Sequence, residues 1–241
     1  MKEEISFKKY KTRGAGYHWE MVSRSVRKRN VFVIARYELI VNLIGNEIKG
    51  KKILEIGCGD GILSFLLAQK GAYVTGIDIS KEAIKFARDK CNHMANMDFL
   101  LSSAYELTFR EKSFDYVVSS DVIEHLVEPE KMLLEIKRVW NKTGKVIITT
   151  PIKFTKYPLD KMHYQEFYEE EFNYLLGKYF EEIKVCKTHP LFWYELQNKL
   201  ILGGALPKLF LNCCHIFCGF NPFLKTGGWR NYTLQTAIIS G

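Results

Sequence analysis

At 241 residues, 47% hydrophobic and 14% aromatic, the chain has apolar side chains enough for one large core or two small ones, which excludes a scaffold dependent on disulfide staples. Its formal net charge of +8 invites a nucleic-acid or anionic-membrane partner, but the charge is uneven: Lys8, Lys9, Lys11, Arg13, Arg24, Arg27, Lys28, Arg29 and Arg36 make the first forty residues basic, while Glu169, Glu170 and Glu171 form an acidic cluster. A solvated helix face is the plainest reading of the basic stretch, with contact to phosphate, sugar-nucleotide or lipid headgroups as the alternative.

In chain order, residues 1–49 read as a helical cap, in which Val33, Ile34, Tyr37, Leu39, Ile40, Leu43, Ile44 and Ile48 are spaced for one apolar face. Met1 to Tyr10 is charged and lacks the apolar core of a signal peptide. The six cysteines are scattered or apolar-flanked, and a reducing, cytoplasmic setting is expected. Residues 50–188 alternate short β-branched runs with helical patterns, as in a βαβ series. Strands are expected at Lys52 to Gly57, Tyr73 to Ile77, Asp98 to Leu101, Phe114 to Ser119 and Lys145 to Thr149, with helices near 62–70, 80–90 and 129–140. Gly71 closes the first of these helices, Ser80 can cap the second and Pro129 suits the start of the third. A polar loop to about Met162, a helix from about Tyr168 to Lys178 and a strand from Phe180 to Lys187 follow. Residues 189–225 read as an apolar helical insertion, and residues 226–241 carry a last strand at Tyr232 to Ile239.

The strongest chemical signal is Leu54-Glu55-Ile56-Gly57-Cys58-Gly59-Asp60-Gly61, which follows a strand and opens a helix, with Asp78 at the end of the next strand. Glycines allow a tight turn and close approach to a ligand, a helix amino terminus offers N–H groups, and an acid after the second strand can accept from ribose hydroxyls. The glycine spacing is GxGxG rather than the dinucleotide GxGxxG, and Glu55 and Asp60 would repel a pyrophosphate while suiting an ammonium and a sulfonium.

With these motifs, residues 51–150 resemble the class I S-adenosylmethionine-dependent methyltransferases, particularly the group holding ubiquinone-pathway O-methyltransferases and sugar methyltransferases. Glu55 to Gly61 resembles the family's first motif, Gly76-Ile-Asp78-Ile-Ser80 its ribose-binding acid, and Phe114 to Leu126 its fourth-strand motif. The resemblance implies an α/β, doubly wound, Rossmann-like sheet of seven strands, mostly parallel with the last antiparallel, and S-adenosyl-L-methionine as cofactor. By the same resemblance Glu55, Gly57, Cys58 and Gly59 lie at the cofactor's amino-acid part, Asp78 holds the ribose and Ile79 packs on adenine. Ser103 and Ala104 stand where relatives carry an acid and an alanine near the adenine amino group, and a serine hydroxyl can still accept there. Ser120 is expected to line the methionine end, and Arg36 to be a partner for the cofactor carboxylate, with a plain surface arginine as the competing reading.

The acceptor is expected outside the carboxyl ends of strands four and five, in a pocket bordered by Tyr17, Trp19, Asp121, His125 and Tyr164, with His18 beside the first two in an amino-terminal lid. His163 is the expected general base, and a helix cap or loop contact is its structural alternative. Asp121, Glu124 and His125 resemble a sequence that in relatives accompanies a divalent ion, but hydrogen bonding is the favoured role and no metal is expected. Cys213, Cys214, His215 and Cys218 lack a second CxxC, so the cysteines read as small core residues.

Lys199 and Lys208 interrupt Leu191 to Leu224, which is therefore not expected to span a membrane. With Phe192, Trp193, Leu196, Leu200, Leu209, Phe210, Phe217 and Phe220, it supports an acceptor roof, a homodimer contact or peripheral membrane contact, beside simple core packing. The expected function is methyl transfer to a small or carrier-linked acceptor, foremost a hydroxyl of a sugar or lipid-linked glycan. A quinone or polyketide acceptor, or a catalytically silent partner protein, are the alternatives. Nucleic acid is not expected as a partner, because Ser119-Ser120-Asp121-Val122 stands where an Asp/Asn-Pro-Pro-aromatic motif would be.

Overall fold

Neighbouring residues of the central strands enter different hydrophobic cores, as strands buried on both faces must. The computed structural model describes residues 9–158, 160–198, 205–226 and 231–241. In chain order its elements are α1 (Lys9–Arg13), α2 (Tyr17–Val22), α3 (Val31–Ile44), β1 (Lys52–Ile56), α4 (Ile62–Gln69), β2 (Tyr73–Asp78), α5 (Lys81–Cys91) and β3 (Met97–Leu101). These are followed by β4 (Tyr116–Ser120), α6 (Pro129–Val139), β5 (Lys145–Pro151), α7 (Glu169–Gly177), β6 (Glu182–Pro190), α8 (Leu191–Asn198), α9 (Ala205–Cys218) and β7 (Tyr232–Ser240).

The seven strands form one sheet in the order β3-β2-β1-β4-β5-β7-β6, parallel except that β7 runs antiparallel to both its neighbours. This is the doubly wound arrangement expected. Leu54, Ile56, Val117, Val146 and Ile148 pack with Met132, Leu133 and Ile136 of α6 and Phe172 and Leu176 of α7. Ile53, Val74, Val118 and Ile147 pack on the opposite face with Ile40 and Ile44 of α3 and Leu63 and Leu67 of α4. A one-residue slip of β1 or β4 would exchange these two sets, so the register is tightly specified.

Local signals set the helix ends. Ser80 accepts from the Ala83 N–H and caps α5, Pro129 stands in the first turn of α6, and Gly71, with φ +90°, lies just past α4. Strand bounds depart from expectation where tertiary contacts intervene. Gly57 turns away from β1 with φ +74°. Phe114 forms an isolated bridge with Trp140, and β4 begins two residues later, at Tyr116. Phe180 donates its N–H to Leu176 at the exit of α7, so β6 starts at Glu182 and continues to Pro190.

The apolar insertion forms α8 and α9, and one side of α9 packs through Leu211 with Val31, Ala35 and Phe223, against which Phe32 and Trp193 also lie. Simple core packing does not describe its other apolar residues: Phe192, Leu196, Leu209, Phe210, Phe217 and Phe220 are exposed. The cysteines expected as small core residues are corrected likewise, for Cys213 and Cys214 are half-buried and Cys218 is exposed. Lys199 and Leu200 lie outside the described residues. Among the described residues no helix is long and apolar enough to cross a membrane.

Candidate functional site

Strands β2 and β4 flank β1 on opposite sides, so the chain's connections diverge there and open a crevice above the carboxyl ends of the strands. A cavity of about 730 Å³ occupies this place. Its lining includes the motif residues Glu55, Gly57, Cys58, Asp78, Ile79, Ser103, Ala104 and Ser120, with Arg36, Asp121 and His125.

Asp78 is buried and oriented by two backbone donors: Gly59 N–H to Oδ2 at 2.9 Å and Ser80 N–H to Oδ1 at 2.8 Å. A carboxylate has about four lone-pair sites. Ligand hydroxyls are donors of the kind such a group accepts. Beside it Ile79 is 61% exposed, a flat apolar surface at the cavity wall. A Cβ on Gly57 would collide with Val122, and one on Gly59 with the Tyr10 hydroxyl. Both glycines also have positive φ, so neither position tolerates a side chain. Ser103 lines the cavity while its Oγ accepts from the Tyr105 N–H at 3.2 Å.

Glu55 is buried, and its carboxyl is pushed up to about 8 by desolvation, opposed by a hydrogen bond from Ser64 Oγ and reinforced by the nearby charges of Asp60 and Asp78. Burial likewise holds the Cys58 thiol well above its ordinary value. A cationic ligand beside Glu55 would favour its ionised form, whereas a pyrophosphate would oppose it.

Arg36 on α3 lines the cavity but is ion-paired with Asp121, whose Oδ1 also accepts from Thr149 Oγ1 at 3.0 Å. Asp121 has φ +52°, a backbone conformation that aims the residue after β4 towards α3. Ser120 Oγ is 3.1 Å from the same threonine hydroxyl.

His125 Nδ1 lies 2.8 Å from the Met162 carbonyl oxygen. Because a carbonyl only accepts, Nδ1 carries the proton and Nε2 is the basic nitrogen. His163, placed by sequence at the acceptor, is not among the cavity-lining residues. Its Nδ1 is 2.7 Å from Glu166 Oε1, and its ring stands 5.0 Å from that of His125. Tyr164 is also absent from the lining, its N–H donating to the Glu124 carbonyl. Glu124, His125 and His163 each bring a ligand atom within 4.8 Å of the others, a set that could hold a divalent ion.

Tyr17 and Trp19 do not line the cavity either. Trp19 Nε1 donates to the Asp60 carbonyl at 2.8 Å and its ring packs on Phe65, while the His18 N–H donates to Asp60 Oδ2 at 2.8 Å. Thus α2 clasps the glycine turn from outside. Tyr17 leans on His18, with ring centroids 4.6 Å apart. Among the described residues before α3, Tyr10, Lys11 and His18 line the cavity, and α3 adds Arg36 and Tyr37. Tyr10 and Met162 were not singled out from the sequence, since neither sits in a motif and both arrive through tertiary packing.

Residues 54–148 match the family model for a methyltransferase domain. The ubiquinone biosynthesis O-methyltransferase of Coxiella burnetii is 32% identical over 104 residues, 43% of this chain and 44% of that protein. That of Glaesserella parasuis is 37% identical over 114 residues, 44% of this chain and 47% of that protein. The chain thus spans less than half the length of these curated relatives. Among solved structures, phosphoethanolamine N-methyltransferase 2 of Haemonchus contortus in complex with S-adenosyl-L-methionine aligns with TM-score 0.67 at 18% identity, covering 98% of this chain and 59% of that one. The [4+2]-cyclase SpnF aligns at TM-score 0.59 and 17% identity, covering 86% of this chain and 81% of that one. The two structural likenesses concern the fold alone, and different reactions are named for the two proteins. The segment similar to a methyltransferase domain carries the glycine turn, Asp78 and the β4 loop, and the seven-stranded sheet in which it lies has the fold of these solved structures.

Proposed function

We propose that this chain binds S-adenosylmethionine in the cavity above β1 and β4 and transfers its methyl group to an acceptor hydroxyl. The observation that carries the reading is the cavity itself, whose lining joins Asp78, oriented by the Gly59 and Ser80 amides at the end of β2, with Ile79, the glycine turn and His125. In this reading Asp78 takes the ribose hydroxyls and Ile79 covers one face of the adenine. Ser103 and Ala104 border its edge, and Glu55, Gly57, Cys58 and Gly59 surround the amino-acid part. The bound cofactor would supply a methyl group on a cationic sulfur.

What remains for the protein is positioning and one proton. His125 Nε2 accepts the proton of the acceptor hydroxyl, the Met162 carbonyl having fixed the tautomer. His163, the base expected from sequence, acts one layer behind, its ring against His125 and its Nδ1 on Glu166. Asp121, Ser120 and Arg36 form the floor between the two ligands. The ion pair with Asp121 makes Arg36 a positioning group rather than an uncommitted anchor for a carboxylate.

For the acceptor, the relatives named for ubiquinone biosynthesis favour a quinol or phenol hydroxyl over the sugar or lipid-linked glycan hydroxyl expected from the sequence. Isothermal titration with S-adenosylmethionine, followed by transfer of labelled methyl to catechol-type and glycoside acceptors, tests both levels. Binding with transfer to the phenolic set is the expected result. Binding without transfer to either set would favour a silent partner protein, and no binding by folded protein would overturn the reading.

A further inference from the structure

Helix α9 is inside out. Its polar side chains turn towards the protein: Asn212 Nδ2 donates to the carbonyls of Val26 and Arg29, both at 2.8 Å, and His215 Nε2 meets Glu38 Oε1 at 2.9 Å while Arg29 donates to its Nδ1. Its large apolar side chains turn outward. Leu206, Phe210 and Phe217, spaced by four and seven, share one face, and Phe210 and Phe217 are 66% and 80% exposed. Leu209 and Phe220 extend the same patch. A helix that spends its polar groups on the protein and presents phenylalanines outward is not arranged for water.

Charge identifies the occupant. The bonds from Asn212 and Arg29 seat α9 beside the turn that carries Arg24, Arg27 and Lys28, all exposed. On the other flank the Lys225 ammonium stands 5.5 Å from the centre of the Phe220 ring. No Asp or Glu occurs between Glu20 and Glu38, nor between Glu195 and Gly241. Lys28 is paired with Glu20 at 2.9 Å, while Arg24, Arg27 and Lys225 give the rim a net positive charge. Aromatic residues with such a rim match an anionic lipid surface, into whose headgroup boundary the face sinks while lysines and arginines meet the phosphates. A second copy of this chain, docked face to face, would bring the cationic rim of one copy near that of the other, a repulsive arrangement. The 14 described residues of α9 are too few to cross, and they would lie in the plane of the interface.

We propose that the outward face of α9 and the basic turn at residues 24–28 form a docking surface for an anionic lipid bilayer. The inference does not depend on the methyl-transfer reading. It does have a bearing on the cavity, because α9 is bonded through His215 to Glu38 on α3, two residues from Arg36 in the lining.

Sedimentation of the full chain with vesicles tests it. Binding is expected to vesicles that mix phosphatidylglycerol with phosphatidylcholine, to weaken as salt is raised, and to be absent on phosphatidylcholine alone. Phe210→Glu with Phe217→Glu should abolish it. Replacing Arg24, Arg27 and Lys28 by Gln should lower partitioning on the order of a hundredfold, at about fivefold for each charge. Circular dichroism melting shows whether each variant folds, and if the phenylalanine variant does not, the charge variant decides alone. Failure of the folded wild type to bind the anionic vesicles overturns the proposal, as does equal binding by the charge variant. A concentration-dependent dimer abolished by the phenylalanine substitutions, without vesicle binding, assigns the face to a second copy instead.

Discussion

The imidazole of His163 stands 5.0 Å behind that of His125, and of the two only His125 reaches the cavity wall. The nearer ring bonds the Met162 carbonyl and the farther one is tied to Glu166, and the proposed mechanism reads the pair as a base and its support. His125→Asn keeps a donor for the carbonyl and removes the basic nitrogen. It is expected to lower kcat by about 10²- to 10⁴-fold, the usual worth of a positioned base, with cofactor affinity unchanged. His163→Asn should cost less, roughly 10- to 100-fold, as for groups that orient a functional side chain. Steady-state kinetics alongside cofactor titration separates the two. Equal losses in both variants, or a larger loss at His163, would reverse the assignment.

Asp78→Ala removes the acceptor at the wall of the cavity and leaves the Gly59 and Ser80 amides without their partner. Affinity for S-adenosylmethionine and S-adenosylhomocysteine should fall by about 1–3 kcal/mol, the cost of losing a buried hydrogen-bonding partner. Titration calorimetry on both ligands reads this directly. An unchanged affinity would move the ribose away from Asp78.

Two buried groups with opposite shifts shape the pH dependence of stability. Glu55, raised to about 8, binds its proton more tightly in the folded state than in the unfolded one, so it destabilises progressively as pH rises from about 4.5 to about 8. His189, lowered to about 3 by burial, is neutral in the fold, and its contribution is lost as pH falls below about 6.5. Between about 4.5 and 6.5 the two slopes oppose each other, and from about 6.5 to 8 only that of Glu55 remains. Urea unfolding should therefore show stability declining across the upper window, by at most about 1.4 kcal/mol per pH unit for one proton. Glu55→Gln should flatten that decline, and a slope that persists in the variant would assign it to another group.

Trp19 and His18 both bond Asp60 and so hold the amino-terminal segment to the glycine turn. Trp19→Ala deletes the bond to the Asp60 carbonyl and the packing on Phe65, and should cost about 1–3 kcal/mol. Hydrogen exchange at residues 17–22 should rise more than in α6, which this clasp does not touch. The Tyr10 hydroxyl stands where a Cβ on Gly59 would lie, and Tyr10 lines the cavity. Tyr10→Ala should speed cofactor association in stopped-flow measurements, and slower association would show that Tyr10 assists entry.

Much of this architecture is written in local pattern. Short β-branched runs, the capping Ser80, the Pro129 start and the glycine turn followed by Asp78 are features of neighbouring residues, and they determined the sheet, its helices and the loop at which a ligand meets it. Position in space was decided elsewhere. Trp19 and Tyr17 looked like lid residues from their aromatic character, but the indole found the Asp60 carbonyl and turned to the outside of the glycine turn. His163 looked like the base because it follows strand five, yet Glu166 three residues on captured its Nδ1, and a residue from the β4 loop came to stand before it. Arg36 could be assigned to a helix from its periodicity, but not paired with Asp121, 85 residues away. Periodicity reports which face of an element is apolar, whereas long-range hydrogen bonds and ion pairs form only when packing brings distant elements together. That is why the sequence by itself determined the fold and the glycine turn with Asp78, while the tertiary structure decided which histidine faces the cavity and that α9 turns its phenylalanines outward.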